Sequence, residues 1–297
     1  MFKRAANPYW TSGNLINHFK ERSTKDSHCS SAILFGFLIT LAFLFSTSQV
    51  KSAPYAHVIL NAKTGEVLDE ENSKLRLHPA GLTKLVTLYA VIEALETGEV
   101  ELDQIARVSA KAAAEGPIVL GLRAGQRISL RYLIRAMAVQ GANDAATVIA
   151  QTLDGSELAF AERMARVSQD LGLSQSTWRN AHGLTSSGHL STAQDIAIVM
   201  QALWRDYPEY VHLLSRVTVD AGVKKVTHSG RRLLQNYENA LAVKTGFTNA
   251  SGFSGAMIAG HENEVLIVVV LGGRSTKTRN DQMVRLSDLG FKTILDR

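Results

Sequence analysis

A chain of 297 residues that is 45% hydrophobic and 20% charged, with 22 glycines but only 5 prolines, is not disordered, collagenous or low in complexity. Its formal net charge of +5 would suit a nucleic-acid binder, but the excess is local. Residues 1–53 hold Lys3, Arg4, Lys20, Arg22, Lys25 and Lys51 against Glu21 and Asp26, and the chain beyond them is close to neutral, so no nucleic-acid partner is expected.

The N-terminal basicity has a different reading. Ser31 to Phe45 (SAILFGFLITLAFLF) carries no charge and comes after most of the basic residues. The positive-inside rule then keeps residues 1–30 in the cytoplasm and exports the rest. The apolar run is shorter than the roughly 20 residues that span a bilayer, which fits the core of a signal peptide. Val50-Lys51-Ser52-Ala53 ends in small residues suited to cleavage, whereas Pro54 and the long leading segment favour a retained anchor. The only cysteine, Cys29, precedes the run, so the exported body is expected to have no disulfide or thiol chemistry. Three parts are expected: a cytoplasmic basic segment (1–30), a signal peptide or anchor (31–53) and one domain (54–297). Any membrane attachment is assigned to the apolar segment.

In chain order, Tyr55–Asn61 and Glu66–Asp69 form a hairpin around Lys63-Thr64-Gly65. Leu85, Leu88, Ile92 and Leu95 recur at helical spacing over Leu82–Glu96, and Gly98 ends that helix. Further helices are expected over Leu130–Val139, Asn143–Leu153 and Glu157–Leu171. Ser191-Thr192-Ala193-Gln194 reads as a capping box in which Ser191 and Gln194 satisfy free N–H groups. Strands are expected at Val217–Asp220, Leu241–Thr245, Gly252–Ile258 and Val265–Leu271, the last buried on both faces. Met283, Leu286 and Leu289 start a C-terminal helix. Strands at both ends and helices between them predict an α/β fold, an antiparallel sheet formed from both termini with helices on its faces.

Three short stretches stand out: His78-Pro79-Ala80-Gly81-Leu82-Thr83-Lys84-Leu85, Gln140-Gly141-Ala142-Asn143-Asp144-Ala145-Ala146, and Ala242-Val243-Lys244-Thr245-Gly246-Phe247-Thr248. Their order and spacing resemble the S-x-x-K, S-x-N and K-T-G elements of the exported serine D-alanyl-D-alanine carboxypeptidases, which are penicillin-binding proteins. The resemblance runs from about Tyr55 to Leu289 and includes Ala114-Glu115-Gly116-Pro117, Leu120-Gly121-Leu122, Gly155-Ser156-Glu157 and Leu171-Gly172-Leu173. Lys63-Thr64-Gly65 is a second K-T-G, read as a turn, and Ser48-Gln49-Val50-Lys51 matches S-x-x-K by chance.

The resemblance implies a penicillin-binding, β-lactamase-like transpeptidase domain acting on the D-Ala-D-Ala end of peptidoglycan stems, in the periplasm or on the outer face of the membrane. It implies Lys84 as the general base, one helical turn from the nucleophile, and Asn143 as a holder of the substrate amide. Lys244 and Thr245 would hold the terminal carboxylate. Gly246 would let substrate approach a strand edge, and the N–H groups of residue 81 and Phe247 would form the oxyanion hole. No cofactor and no metal are implied.

The departure is that Gly81 stands at the nucleophile position and Gly141 at the second serine position. Thr83 projects to another helix face and is a poor substitute. A catalytically silent member that binds stem peptides or wall-synthesis proteins is therefore expected. The alternatives are residual serine-independent carboxypeptidase activity, through Lys84 or a held water, and a non-enzymatic scaffold for wall-synthesis proteins. His182 and His189 are expected to be ordinary loop residues; Trp204, Tyr207 and Tyr210 are expected to pack.

Overall fold

The computed structural model describes residues 53–296; the basic segment, the apolar run, Cys29 and Ser48–Lys51 lie outside the described residues. Among those described, no helix is long and apolar enough to cross a membrane.

Strands β1 (Ala56–Asn61) and β2 (Val67–Glu71) form the expected antiparallel hairpin. The Asn61 carboxamide oxygen accepts from the Lys63 and Thr64 N–H groups, which makes Lys63-Thr64-Gly65 a turn. A 3₁₀ turn over Ala80–Leu82 leads into helix α1 (Thr83–Glu96). Most of α1 is buried, because it lies within the main core rather than on its surface. A short ribbon of β3 (Ile105–Arg107) and β4 (Arg127–Ser129) comes next, too brief to leave an alternating pattern in the sequence. The helix expected over Leu130–Val139 is α-helical only to Arg135; its last turn, Ala136–Gln140, widens to a π turn that ends at Gly141.

Helices α2 (Asn143–Asp154), α3 (Glu157–Asp170) and α4 (Ala193–Asp206) lie close to their expected spans. The cap of α4 differs. Thr192, not Ser191, accepts from the Asp195 N–H, while the Ser191 hydroxyl bonds that of Ser176. Thr192 is the residue with extended backbone directly before the first helical one, which is where a cap must stand.

A second ribbon, β5 (Thr218–Asp220) and β6 (Lys225–Thr227), precedes β7 (Ala240–Thr248), β8 (Gly252–His261) and β9 (Glu264–Gly273). The main sheet is antiparallel in the order β2-β1-β9-β8-β7, so both termini build it, as expected. Central β9 is buried on both faces. Ile267, Val269 and Leu271 join the core of the helical block, and Leu266, Val268 and Val270 join a second core. Each such side chain contributes about 1.5–3 kcal/mol by leaving water. The second core is completed by Met283, Leu286 and Phe291 of helix α5 (Thr276–Leu295). That helix starts at a Ser275 capping box, well before the Met283 start expected from sequence, because its first turns (Lys277, Thr278, Asn280, Asp281) carry no apolar stripe. Strand β7 is left as an edge of the sheet, lying against the 3₁₀ turn.

Candidate functional site

A cleft of about 170 Å³ opens where the 3₁₀ turn, the Gly141 turn and edge strand β7 converge. Its lining includes Gly81, Lys84, Gly141, Asn143, Lys244, Thr245, Gly246 and Phe247, so all the residues singled out from sequence come together. The lining contains no aspartate or glutamate.

Lys84 enters from the first turn of α1. Its ammonium donates to the Asn143 carboxamide oxygen at 2.6 Å and to the main-chain carbonyl of His182 at 2.5 Å. Asn143 is itself fixed on two sides: its Nδ2 donates to the Gly116 carbonyl at 2.6 Å, and its N–H to the Ile118 carbonyl at 2.7 Å. Asp144 holds the same loop by accepting from the N–H groups of Leu120, Gly121 and Leu122. Its place in the first turn of α2 also suits a carboxylate to the helix dipole. Thus α2 anchors the loop that supplies Pro117 and Ile118 to the cleft wall.

Strand β7 brings Lys244, which is 1% exposed, and its ammonium has no hydrogen-bond partner among the described residues. Thr245 donates to the Ser229 hydroxyl at 2.9 Å, and the Ser229 N–H donates to the Val139 carbonyl, tying β7 to the π turn. Phe247 is half exposed at the rim, its ring 4.3 Å from that of Phe253. Arg279, at the start of α5, donates from Nη1 to the Ser254 carbonyl and from Nε and Nη2 to Asn280 Oδ1.

Burial pushes the Lys84 ammonium well below the usual lysine range; the charge of Lys244 pushes it further, against an opposing pull from Glu115 and Asp144. Burial alone lowers Lys244 to about 8 and Arg279 to about 10. Two lysines and an arginine thus crowd a cleft without a lining carboxylate.

The two glycines sit differently. A Cβ on Gly81 would fall 2.9 Å from the Thr245 carbonyl oxygen and 3.1 Å from the Gly246 Cα, both strand backbone. A Cβ on Gly141 would meet only the Lys244 Nζ, at 3.4 Å, but Gly141 has φ +86°, a left-handed conformation that ends the π turn. Gly246 must be glycine, since a Cβ there would lie 2.5 Å from the Gly81 nitrogen.

Behind Lys84, the two histidines expected to be ordinary loop residues are buried and bonded. His189 Nε2 meets the Thr83 hydroxyl at 2.8 Å, which turns Thr83 away from the cleft. Burial, with nearby positive groups, lowers His189 to about 4. His182 accepts the Leu184 N–H at Nδ1, so the proton of the neutral ring is on Nε2, which lies 3.3 Å from Glu157 and 3.7 Å from Glu115. These three groups are close enough to hold a metal ion, but a neutral ring ligating through Nε2 would carry its proton on Nδ1, which already accepts the Leu184 N–H, and Lys111 pairs with Glu157. The cluster is read as an ionic support for the loop whose carbonyl holds Lys84. Trp204, Tyr207 and Tyr210 pack against the main core, as expected.

Sequence reasoning missed His182 as a main-chain acceptor, Ser229, and Arg279. No motif marks them, because they reach the cleft from loops and from a helix start that only the folded sheet brings near.

The family described as D-alanyl-D-alanine carboxypeptidase, peptidase S11, matches residues 44–275. The chain is 30% identical over 254 residues to the D-alanyl-D-alanine carboxypeptidase DacF of Bacillus subtilis, covering 82% of this chain and 64% of the relative. It is 31% identical over 244 residues to DacA of Escherichia coli, covering 80% and 60%. The chain therefore spans about three fifths of these relatives' length. Among solved structures, penicillin binding protein 5 of Haemophilus influenzae superposes with a TM-score of 0.76 at 27% identity, covering 83% of this chain and 72% of that one. Penicillin binding protein 6B of Escherichia coli gives 0.72 at 29%, covering 80% and 76%.

Proposed function

The chain belongs to the D-alanyl-D-alanine carboxypeptidase family, and from that premise we propose that it binds peptidoglycan stem peptides in the cell envelope without forming a covalent intermediate. The observation that supports this reading is the contrast within the cleft. Lys84, Asn143, Lys244, Thr245 and Gly246 are assembled as a binding site would need, while Gly81 occupies the position read as the nucleophile's and β7 backbone fills the space of its side chain. Losing a serine nucleophile lowers kcat by roughly 10⁶-fold in a serine protease, and the oxyanion hole and binding then retain only about 10³–10⁴ over water.

In the proposed pose the stem lies along edge strand β7, pairing with its free backbone groups. Thr245 faces its charged end, Lys244 lies at the floor beneath the residue before that end, and the N–H groups of Gly81 and Phe247 face a carbonyl. Phe247 and Ile118 offer an apolar rim. Assignment to the envelope rests on the export signal read in residues 31–53. Incubation with labelled penicillin and then intact-mass analysis should give no adduct; a covalent adduct in the cleft would overturn the reading.

One observation favours a second reading. A deprotonated Lys84 would use both its N–H groups on Asn143 and His182, leaving its lone pair as a base toward a water. Release of D-Ala from a stem pentapeptide, abolished in Lys84→Ala, would establish that route; release no faster than background would end it.

A further inference from the structure

The proposed binding reading leaves open which stem the cleft prefers, and the distribution of unmet donors bears on that choice. A protonated lysine has three donors. Lys84 spends two on the neutral oxygens of Asn143 and His182, so one remains, and Lys244, almost wholly buried, has none of its three engaged among the described residues. Arg279 is better served, with Nε, Nη1 and Nη2 all donating to neutral oxygens. The demand for an acceptor is therefore concentrated at the floor between the two lysines.

The floor also has room. A Cβ at Gly141 would stand at contact distance from the Lys244 ammonium, and among the described residues no other atom beyond the adjoining residues lies within 4 Å of that point. An oxygen placed near there could accept from Lys244. The Gly81 side offers no such space, since β7 backbone fills it. With no carboxylate in the lining, a buried lysine charge at this floor stays unpaired until a ligand supplies the partner.

We infer that the floor of the cleft, between Lys84 and Lys244 on the Gly141 side, seats a carboxylate, and that the preferred ligand is a stem already trimmed to a single terminal D-alanine. The inference rests on the reading that stems lie along β7. An untrimmed stem offers the floor a neutral peptide carbonyl and carries its carboxylate one residue further on. A trimmed stem puts its free carboxylate at the floor, where a charged group with two acceptor oxygens takes the place of a single neutral carbonyl oxygen and adds a direct charge–charge attraction to the ammonium. The reaction class that must supply this ligand is hydrolytic removal of the last D-alanine, so the chain would read the product of its catalytically active relatives.

The test is calorimetric titration of the full chain with two probes, diacetyl-L-lysyl-D-alanine and diacetyl-L-lysyl-D-alanyl-D-alanine. The trimmed probe is expected to bind at least tenfold more tightly. Its C-terminal carboxamide should lose that advantage, a control that needs no variant. Lys244→Met, with its fold checked by circular dichroism, should bring the two probes within about threefold. If the untrimmed probe binds as tightly as the trimmed one or better, the product preference is overturned while the stem-binding reading stands. If neither binds, both fall.

Discussion

Gly81 and Gly141 are the same residue in the same cleft, yet they are glycine for opposite reasons. At Gly81 the backbone dihedral allows any residue, and the constraint is packing: the volume of a side chain is already taken by the Thr245 carbonyl and the Gly246 Cα. At Gly141 there is space, and the constraint is conformation: a φ of +86° that ends a π turn. A missing side chain therefore does not always leave a hole. On the reading proposed for this chain, the nucleophile's position is closed by a strand, whereas the second serine's position opens onto an unpartnered lysine. Restoring the two serines is thus two different experiments.

The closure at Gly81 can be broken most severely from its other side. Gly246→Ala would put a Cβ 2.5 Å from the Gly81 nitrogen and 3.0 Å from its Cα, with no flexible side chain to give way. The expected loss is at the upper end of the 1–3 kcal/mol typical of overpacking. That corresponds to a fall in Tm of about 2–4 °C per kcal/mol for a domain of this size. A melting temperature within a degree of the parent would show that β7 stands off more easily than its packing implies. Gly81→Ser tests the same seam more gently, because one contact at 2.9 Å and one at 3.1 Å must be relieved. Some 1–3 kcal/mol is expected, and no acylation by penicillin should appear unless β7 has moved.

Much of this was legible before folding. The resemblance to a known family's three motifs grouped Gly81, Lys84, Gly141, Asn143, Lys244 and Thr245, and within each motif a helix turn or a strand carries its residues as a unit. The buried run Val265–Leu271 identified the central strand. The start of α5 was hidden, since solvated turns with Lys277 and Asp281 carry no apolar signal. Donors and acceptors were hidden for another reason. That the His182 carbonyl holds Lys84, or that Lys244 has no partner, depends on loops meeting across large sequence separations, which no local pattern encodes.

The unpartnered lysine gives a pH signature. With its folded pKa lowered to about 8, Lys244 binds less proton in the folded than in the unfolded chain between about pH 8 and 10.5. Stability should therefore rise with pH across the lower part of that window, by roughly 1–2 kcal/mol once solvent in the cleft is allowed for. Above about pH 10 the trend reverses, because burial raises Tyr210 and Tyr237 to about 12 and only the unfolded chain ionises its tyrosines. Denaturant melts at pH 7.5, 8.5 and 9.5 should show the rise in the parent and a flatter profile in Lys244→Met. Equal slopes in the two would mean that the ammonium is better solvated than its burial implies.

The smallest effect is the sharpest test of the contrast. Gly141→Ala should lose about 1 kcal/mol, the cost of a left-handed backbone for a residue with a Cβ, because the neighbouring Lys244 ammonium sits at ordinary contact distance. If that loss is conformational and the loss in Gly81→Ala is steric, the two have no shared cause. The double variant should then be additive within about 0.5 kcal/mol in urea denaturation. Geometry offers one route to coupling, since a Cβ at Gly81 pushes on Thr245, the residue next to Lys244 on β7. A displaced strand would draw the ammonium back from Gly141, but a φ penalty is insensitive to that withdrawal. A coupling energy above about 1 kcal/mol would mean that both glycines serve one seam along β7.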